Sequence, residues 1–380
     1  MRFSFTLLLG ITLSFGGVAQ IQTGADQLDS YLPLLKNKKV GLIVNPTSEI
    51  NNTHLVDTLS SLNVDIKRVF GPEHGFRGNV SAGAHVSNEK TDAYEIISLY
   101  GKNKKPTKEQ LSDLDIVIFD IQDVGVRFYT YISTLHYVME ACAENHKELI
   151  ILDRPNPNGN YIDGPVLNPK FKSFVGMHSI PVVHGLTIGE IAQMINGENW
   201  ISSPCEITII NCLNYNHNTS YNLPVKPSPN LPNIQSIKLY PSLCFFEPTQ
   251  ISVGRGTESP FQVVGSPLSK GEYTFTPKSI PGVSKYPKHE NKECKGLDLR
   301  TSNTKEQIDL SYLIQYYSDY PNKAEFFTKP SFFNLLAGND QLIKQIKEGW
   351  SEEKIRNSWQ EGLNKYKVMR KKYLLYADFE

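Results

Sequence analysis

The side chains with the most chemistry in them fall into five short segments. In GPEHGFRG, residues 71–78, Glu73 stands beside His74 in a run broken by Gly71, Gly75 and Gly78. Glycine lets a backbone bring side chains and N–H groups up to a ligand, and loops of that kind carry function. Glu73 is the candidate general acid or base. His74 either holds a substrate hydroxyl or tunes Glu73 through its own protonation state. The competing reading is a pair that only pins the loop by hydrogen bonds.

DIQDVGVRFYTY, residues 120–131, offers Asp120, Gln122, Asp123, Arg127, Tyr129 and Tyr131. Two carboxylates, a guanidinium and two phenols suit a polyhydroxylated ligand that also bears an anion, because arginine grips a carboxylate through paired hydrogen bonds. The plainer alternative is a helix-capping Asp123–Arg127 salt bridge with core tyrosines. LDRPNPNG, residues 152–159, adds Asp153, Arg154 and Asn156, and MHSIPVVHGLTIGE, residues 177–190, adds His178, His184 and Glu190. His184 is a candidate ligand contact at a helix start, whereas Glu190 reads as a solvated helix-face residue. FFEPTQISVGRGTESPF, residues 245–261, supplies Glu247, Thr249 and Arg255. Glu247 would be a second carboxylate facing Glu73 across a cleft.

Two chemistries are disfavoured by spacing. The Gly-Arg-Gly-Thr turn lacks the GxxxxGK[ST] order and no GxGxxG follows a strand, so no nucleotide cradle is expected. His74, His178, His184, Asp120 and Asp153 show no HxH, HExxH or HxxxH spacing, so neither a metal nor any other cofactor is expected.

The segments need a scaffold, and hydrophobic periodicity supplies one. Strand runs at 38–48, 64–75, 114–121, 147–157 and 205–212 alternate with helical spacing at 54–62, 129–146 and 186–197. Continuous β-branched runs separated by helices predict an α/β parallel sheet covered on both faces. The loaded segments of this half follow strand runs, and open parallel sheets bind ligands beyond the carboxyl ends of their strands. From about residue 222 proline recurs at short spacing, which places a seam near 240. The remainder reads as α+β, with a weak strand in EYTFTP, residues 272–277, and helices at 340–349 and 351–372.

Composition narrows the classes. The chain has 380 residues, 39% hydrophobic and 21% charged, with 39 basic and 39 acidic side chains. It is too apolar for disorder and has no basic field to hold nucleic acid. Residues 3–15, FSFTLLLGITLSF, follow Arg2 and precede GGVAQ, the pattern of a cleavable export signal over residues 1–19. A periplasmic or secreted protein is expected, with no membrane insertion after signal removal. Cys142, Cys205, Cys212, Cys244 and Cys294 are odd in number and lack CxxC spacing, so buried thiols are expected over a Cys205–Cys212 bridge.

The ordered set GPEHGFRG, DIQDVGVRFYTYISTL, LDRPNPNG, IPVVHGLTIGE and SVGRGTESPF resembles the exo-β-N-acetylmuramidase family of bacterial peptidoglycan-recycling glycosidases, over nearly the whole mature chain. The resemblance implies a Rossmann-like catalytic domain, residues 20–240, and a smaller α+β domain, residues 241–380, closing the cleft. It implies release of a non-reducing terminal N-acetylmuramic acid from β-1,4-linked peptidoglycan fragments, with Glu73 as general acid/base. The second catalytic group stays open between Glu247, Asp120 and the substrate's own acetamido group. Arg127, Arg154 and Arg255 are candidate partners of the lactyl carboxylate that distinguishes muramic acid from glucosamine. The chain departs from the expected Glu-Gly-Thr-Asn pattern by reading Glu247-Pro248-Thr249-Gln250. A non-catalytic binding protein for an anionic amino sugar and a metal-dependent hydrolase are the alternatives. Oligomeric state is not legible in the sequence.

Overall fold

A computed structural model describes residues 20–73, 75–77, 89–91 and 93–380. The signal-like segment and His74 lie outside the described residues. Six parallel strands and one antiparallel edge strand form the main sheet. Its order from edge to edge is Glu89–Lys90, Glu95–Ser98, Asp65–Gly71, Lys39–Val44, Ile116–Asp120, Glu148–Leu152 and Ile207–Ile210. Numbering the parallel strands along the chain gives 3-2-1-4-5-6, the order of doubly wound dinucleotide-binding sheets. The predicted α/β class is observed, and the antiparallel edge and the short strand beside it are what periodicity missed.

Alternating residues of each strand feed two different cores. On one face Ile43, Phe70, Val117, Phe119, Leu149 and Ile151 pack against the helices Tyr131–Glu144 and Ile188–Gly197. On the other, Val40, Leu42, Val69, Ile116, Ile118 and Ile150 meet the helix Leu55–Ser61 and the turn around Tyr31 and Leu35. A strand buried on both faces has no polar positions, which is why these runs read as continuous rather than alternating.

The C-terminal part has a three-stranded antiparallel sheet in the order Val263–Ser266, Cys294–Asp298, Tyr273–Phe275. Around it lie the helices Ile234–Leu243, Ser311–Asp319, Pro330–Ala337, Gln341–Lys347 and Glu352–Arg370. Residue 240, where the sequence changes texture, lies within the first of these helices. Its core is continuous with the loop after Ile116–Asp120: Val124, Val126 and Phe128 pack with Leu243, Phe245, Phe261, Phe333 and Leu363. The chemically loaded loop is thereby clamped between the two parts. All five cysteines are buried and unpaired, so no Cys205–Cys212 bridge forms. No described helix is long and apolar enough to cross a membrane.

Candidate active site

The strand order reverses between Lys39–Val44 and Ile116–Asp120, and the loops leaving these strands meet there. In dinucleotide-binding sheets the first of these loops is glycine-rich so that a pyrophosphate can approach. In this chain it is Asn45-Pro46-Thr47-Ser48, folded onto itself: the Thr47 N–H donates to Asn45 Oδ1 at 2.9 Å and the Asn45 N–H to Ser48 Oγ at 3.0 Å. Ser48 Oγ donates to the Asp120 carbonyl and the Gln122 N–H to Thr47 Oγ1, welding the two loops together. The space of a phosphate cradle is filled by protein.

The cleft opens beside this weld and encloses about 470 Å3. Glu73, two residues beyond the strand Asp65–Gly71, forms one wall; Phe128 to Tyr131 form the floor. Ser228, Asn230 and Leu231 form a third side, and Tyr240, Arg255 and Phe261 close the fourth. The aromatic rings brace one another edge to face, Tyr129 on Tyr131 at 4.9 Å and Tyr240 on Phe261 at 5.0 Å. Tyr129 also donates its hydroxyl to the Pro227 carbonyl at 2.6 Å. Burial raises the pKa of Tyr129, Tyr131 and Tyr240, helped at Tyr131 by Glu73, so they stay neutral hydroxyl groups.

Arg255 is held from two directions. Its Nε donates to Glu247 Oε1 at 2.6 Å and its guanidinium lies over the Phe261 ring at 5.0 Å. Among the described residues its two terminal nitrogens have no hydrogen-bond partner. Burial opposes its charge and Glu247 more than restores it. Gly254 and Gly256 flank it with φ of +77° and +81°, and a Cβ on Gly256 would sit 2.5 Å from the Lys278 carbonyl. This turn therefore requires glycine where the sequence places it. The departures Pro248 and Gln250 lie in the preceding turn, shaped by backbone bonds from Thr328 and Lys329 to Pro248 and from Gln250 to Phe326.

Of the described candidates from sequence, Glu73, Tyr129, Tyr131 and Arg255 line the cleft, and Glu247 reaches it through Arg255. The remaining described candidates bond within the framework in this structure, and His74 lies outside the described residues. Asp120 is fully buried and holds Arg154 through two bonds, Nε to Oδ1 at 2.5 Å and Nη2 to Oδ2 at 2.9 Å. Arg127 donates to the carbonyls of Pro165, Ile180 and Leu336 at 2.7–2.9 Å, tying the loop to a C-terminal helix, and burial pushes it down to about 9. It makes no ion pair with Asp123. Asp153 accepts from Thr187, Gly189 and Tyr376, capping the helix Ile188–Gly197 and fastening the C-terminal tail; burial pushes it up to about 6. Asn156 donates to the Leu186 carbonyl and accepts from the Asn158 N–H. The Thr249 hydroxyl stays within its own turn, donating to the Phe246 carbonyl and accepting from the Ile251 N–H.

His184 accepts the Leu186 N–H at Nδ1, and burial pushes it down to about 3, so it is a neutral core residue. Glu190 is also buried rather than solvated: it completes a capping box with Thr187 and pairs with His217 at 3.0 Å. Asp123 spends one oxygen on the Gly125 N–H, leaves the other without a partner, and is pushed up to about 7 by burial. Among the described residues no group of three or more His, Cys, Asp or Glu is arranged to hold a metal ion. Ser228, Asn230, Tyr240 and Phe261 were missed. The first two sit in the proline-rich stretch that reads as a seam, and nothing in the spacing of the last two marks them as facing outward from a core.

The chain matches the profile described as the N-terminal part of exo-β-N-acetylmuramidase NamZ over residues 40–235, and the C-terminal part over residues 238–376. It belongs to the exo-β-N-acetylmuramidase family. It is 41% identical over 385 residues to the peptidoglycan β-N-acetylmuramidase NamZ of Bacillus subtilis, covering 94% of this chain and 92% of the relative. Two solved DUF1343 family proteins of Bacteroides fragilis share its fold. One superposes with a TM-score of 0.87 at 45% identity, over 95% of this chain and all of that one. The other gives 0.80 at 30% identity, over 94% and 99%. Glu73 is the one carboxyl-bearing side chain among the described cleft-lining residues.

Proposed function

We propose that this protein is an exo-acting glycoside hydrolase that releases non-reducing terminal N-acetylmuramic acid from β-1,4-linked peptidoglycan fragments. The observation that carries the reading is that a carboxyl group, Glu73, and a guanidinium, Arg255, line one small cleft together with neutral tyrosine hydroxyls. Glycoside hydrolysis needs a carboxylic acid to protonate the leaving oxygen, and Glu73 takes that role. The free terminal nitrogens of Arg255 suit a carboxylate on the sugar, and a partly desolvated guanidinium left unpaired by the wrong sugar gives selectivity. Tyr131 and Tyr240 offer hydroxyls to the sugar ring, while the Tyr129 proton is held by the Pro227 carbonyl and leaves only an acceptor oxygen.

The engagement of Glu247 with Arg255 and the burial of Asp120 beneath the loops favour the substrate's 2-acetamido group as the partner of the anomeric carbon. The export signal read in residues 1–19 supports a periplasmic or secreted enzyme, where cell-wall fragments arise. The test is release of a chromogenic aglycone from β-linked N-acetylmuramic acid beside the matching N-acetylglucosamine compound, with wild type and Glu73→Gln. Cleavage of the muramic compound alone, lost in the variant, is expected. Well-folded protein that binds muramic acid but cleaves neither compound would move the assignment to a binding protein.

A further inference from the structure

One charged side chain away from the cleft surface is bound in an unusual way. Lys288 points its ammonium into a ring of backbone carbonyls: Phe246 at 3.1 Å, Glu247 at 3.2 Å, Ile251 at 2.8 Å, and Thr249. A lysine has three N–H donors, so all are spent on a single turn of chain. Next to it His289 Nε2 bonds the Gln250 carbonyl at 2.6 Å, completing the grip on residues 246–251. The same strap touches the cleft twice more. The Lys278 N–H donates to the Gly256 carbonyl, Pro287 packs where a Gly256 side chain would stand, and the Val283 carbonyl accepts from Asn230 Nδ2.

We propose that Lys288 is a positioning residue for the sugar site: by gathering the carbonyls of residues 246–251 it sets the backbone of Glu247, and Glu247 in turn aims the Arg255 guanidinium into the cleft. The proposal rests on the reading of that cleft as the muramic-acid site. The chain of contact is short. Lys288 bonds the carbonyl of the residue whose carboxylate holds Arg255 at 2.6 Å. Without a cation, four carbonyl oxygens converge on one point with no donor between them, and the turn must open to reach water.

The ammonium is poised to lose its charge. Burial pushes Lys288 down to about 8; the Glu247 carboxylate opposes the shift, and Lys329 and Arg255 add to it. His289, the other titratable neighbour, is itself lowered by burial and carries no charge to compensate. Above about pH 8 the neutral amine has two N–H groups for four carbonyls. The Lys288 titration by itself adds to stability there, since the native value lies below the ordinary lysine value and the unfolded chain binds the proton more tightly. Positioning and folding therefore part company on the alkaline side.

The experiment compares wild type with Lys288→Met. Turnover of the muramic substrate by wild type should fall as pH rises through about 8, at a temperature where the protein stays folded across the range. In Lys288→Met, kcat/KM should drop roughly 10- to 100-fold, mostly in KM, the scale of a hydrogen bond to a charged group, and the limb near pH 8 should vanish. A limb that persists with the same midpoint in the variant, or an unchanged KM, overturns the proposal. Hydrogen exchange at one neutral pH judges the grip without any turnover. Peptides spanning 246–256 should exchange faster in the variant, with 116–120 and 148–152 unchanged; no difference refutes it. If wild type cleaves no muramic substrate, the glycosidase reading fails and exchange alone decides on Lys288. If Lys288→Met does not fold, the wild-type profile decides, and activity flat from pH 7 to about 9.5 overturns the proposal.

Discussion

Asp120→Asn separates a framework role from a catalytic one. The substitution keeps the shape of the side chain but removes the counter-charge of Arg154, which is 4% exposed and bonded to Asp120 through two nitrogens. The amide keeps one acceptor oxygen but sets an N–H donor against the guanidinium where the second oxygen stood, and the Glu49 carbonyl at 3.3 Å is too long to make up the loss. Breaking a buried pair by removing one partner costs about 3–5 kcal/mol. For 380 residues an unfolding entropy of about 2.1 cal/mol/K per residue gives about 0.8 kcal/mol/K, so Tm should fall by roughly 4–6 °C in a single transition. Thermal and urea unfolding read the loss directly. The double variant Asp120→Leu/Arg154→Met, which removes both charges, should recover most of it, because apolar residues of similar volume replace buried pairs at little cost. Turnover of Asp120→Asn at 25 °C should stay within about tenfold of wild type, since the side chain does not line the cleft. An unchanged Tm with turnover lower by about a hundredfold or more would show the carboxylate to be catalytic and the placement wrong.

Two further outcomes follow from the cleft and the loop beneath it. Arg255→Met should lower kcat/KM on the muramic substrate by roughly 10- to 100-fold while changing the N-acetylglucosamine compound little; equal losses on both would show that Arg255 does not read the lactyl group. Asp123→Asn should stabilise the protein above about pH 7 and leave it unchanged near pH 3.5. The folded value of about 7 lies above the ordinary carboxyl value, so ionising the buried group costs stability as pH rises from about 4 to 7, by roughly 3–4 kcal/mol in full. Urea unfolding at pH 5 and pH 8 checks the sign, and a variant less stable than wild type at pH 8 would refute it.

Much of the fold was legible. The strands at 39–44, 65–71, 116–120, 148–152 and 207–210 and the helices between them fall inside the runs that periodicity marks, because a strand buried on both faces has to be apolar throughout. Glu95–Ser98 escaped because only Ile96 and Ile97 in it are apolar, whereas the equally short Ile207–Ile210 sits in the longer run CEITIINC. The antiparallel C-terminal strands are three to five residues long, with glycine at Gly265 and Gly296, and carry little pattern. The capping box Thr187–Glu190 was visible as Thr-x-x-Glu before an apolar run, and it would have taken Glu190 off the solvated face.

The sequence by itself determined where the chemistry gathers, since a parallel sheet must expose the loops after its strands and the polar segments follow those strands. It determined the family as well, through ordered motifs that local composition alone does not produce. Only the tertiary structure decided which polar residues face the cleft and which hold the framework. Arg127 is spent on Leu336, Asp153 on Tyr376 and Glu190 on His217, partners from 27 to 223 positions away in the chain. A charged side chain in a loaded loop reads the same from sequence whether it is aimed at a ligand or at a distant carbonyl. Which it meets is set by how the two parts of the chain close on each other, and burial then fixes its charge.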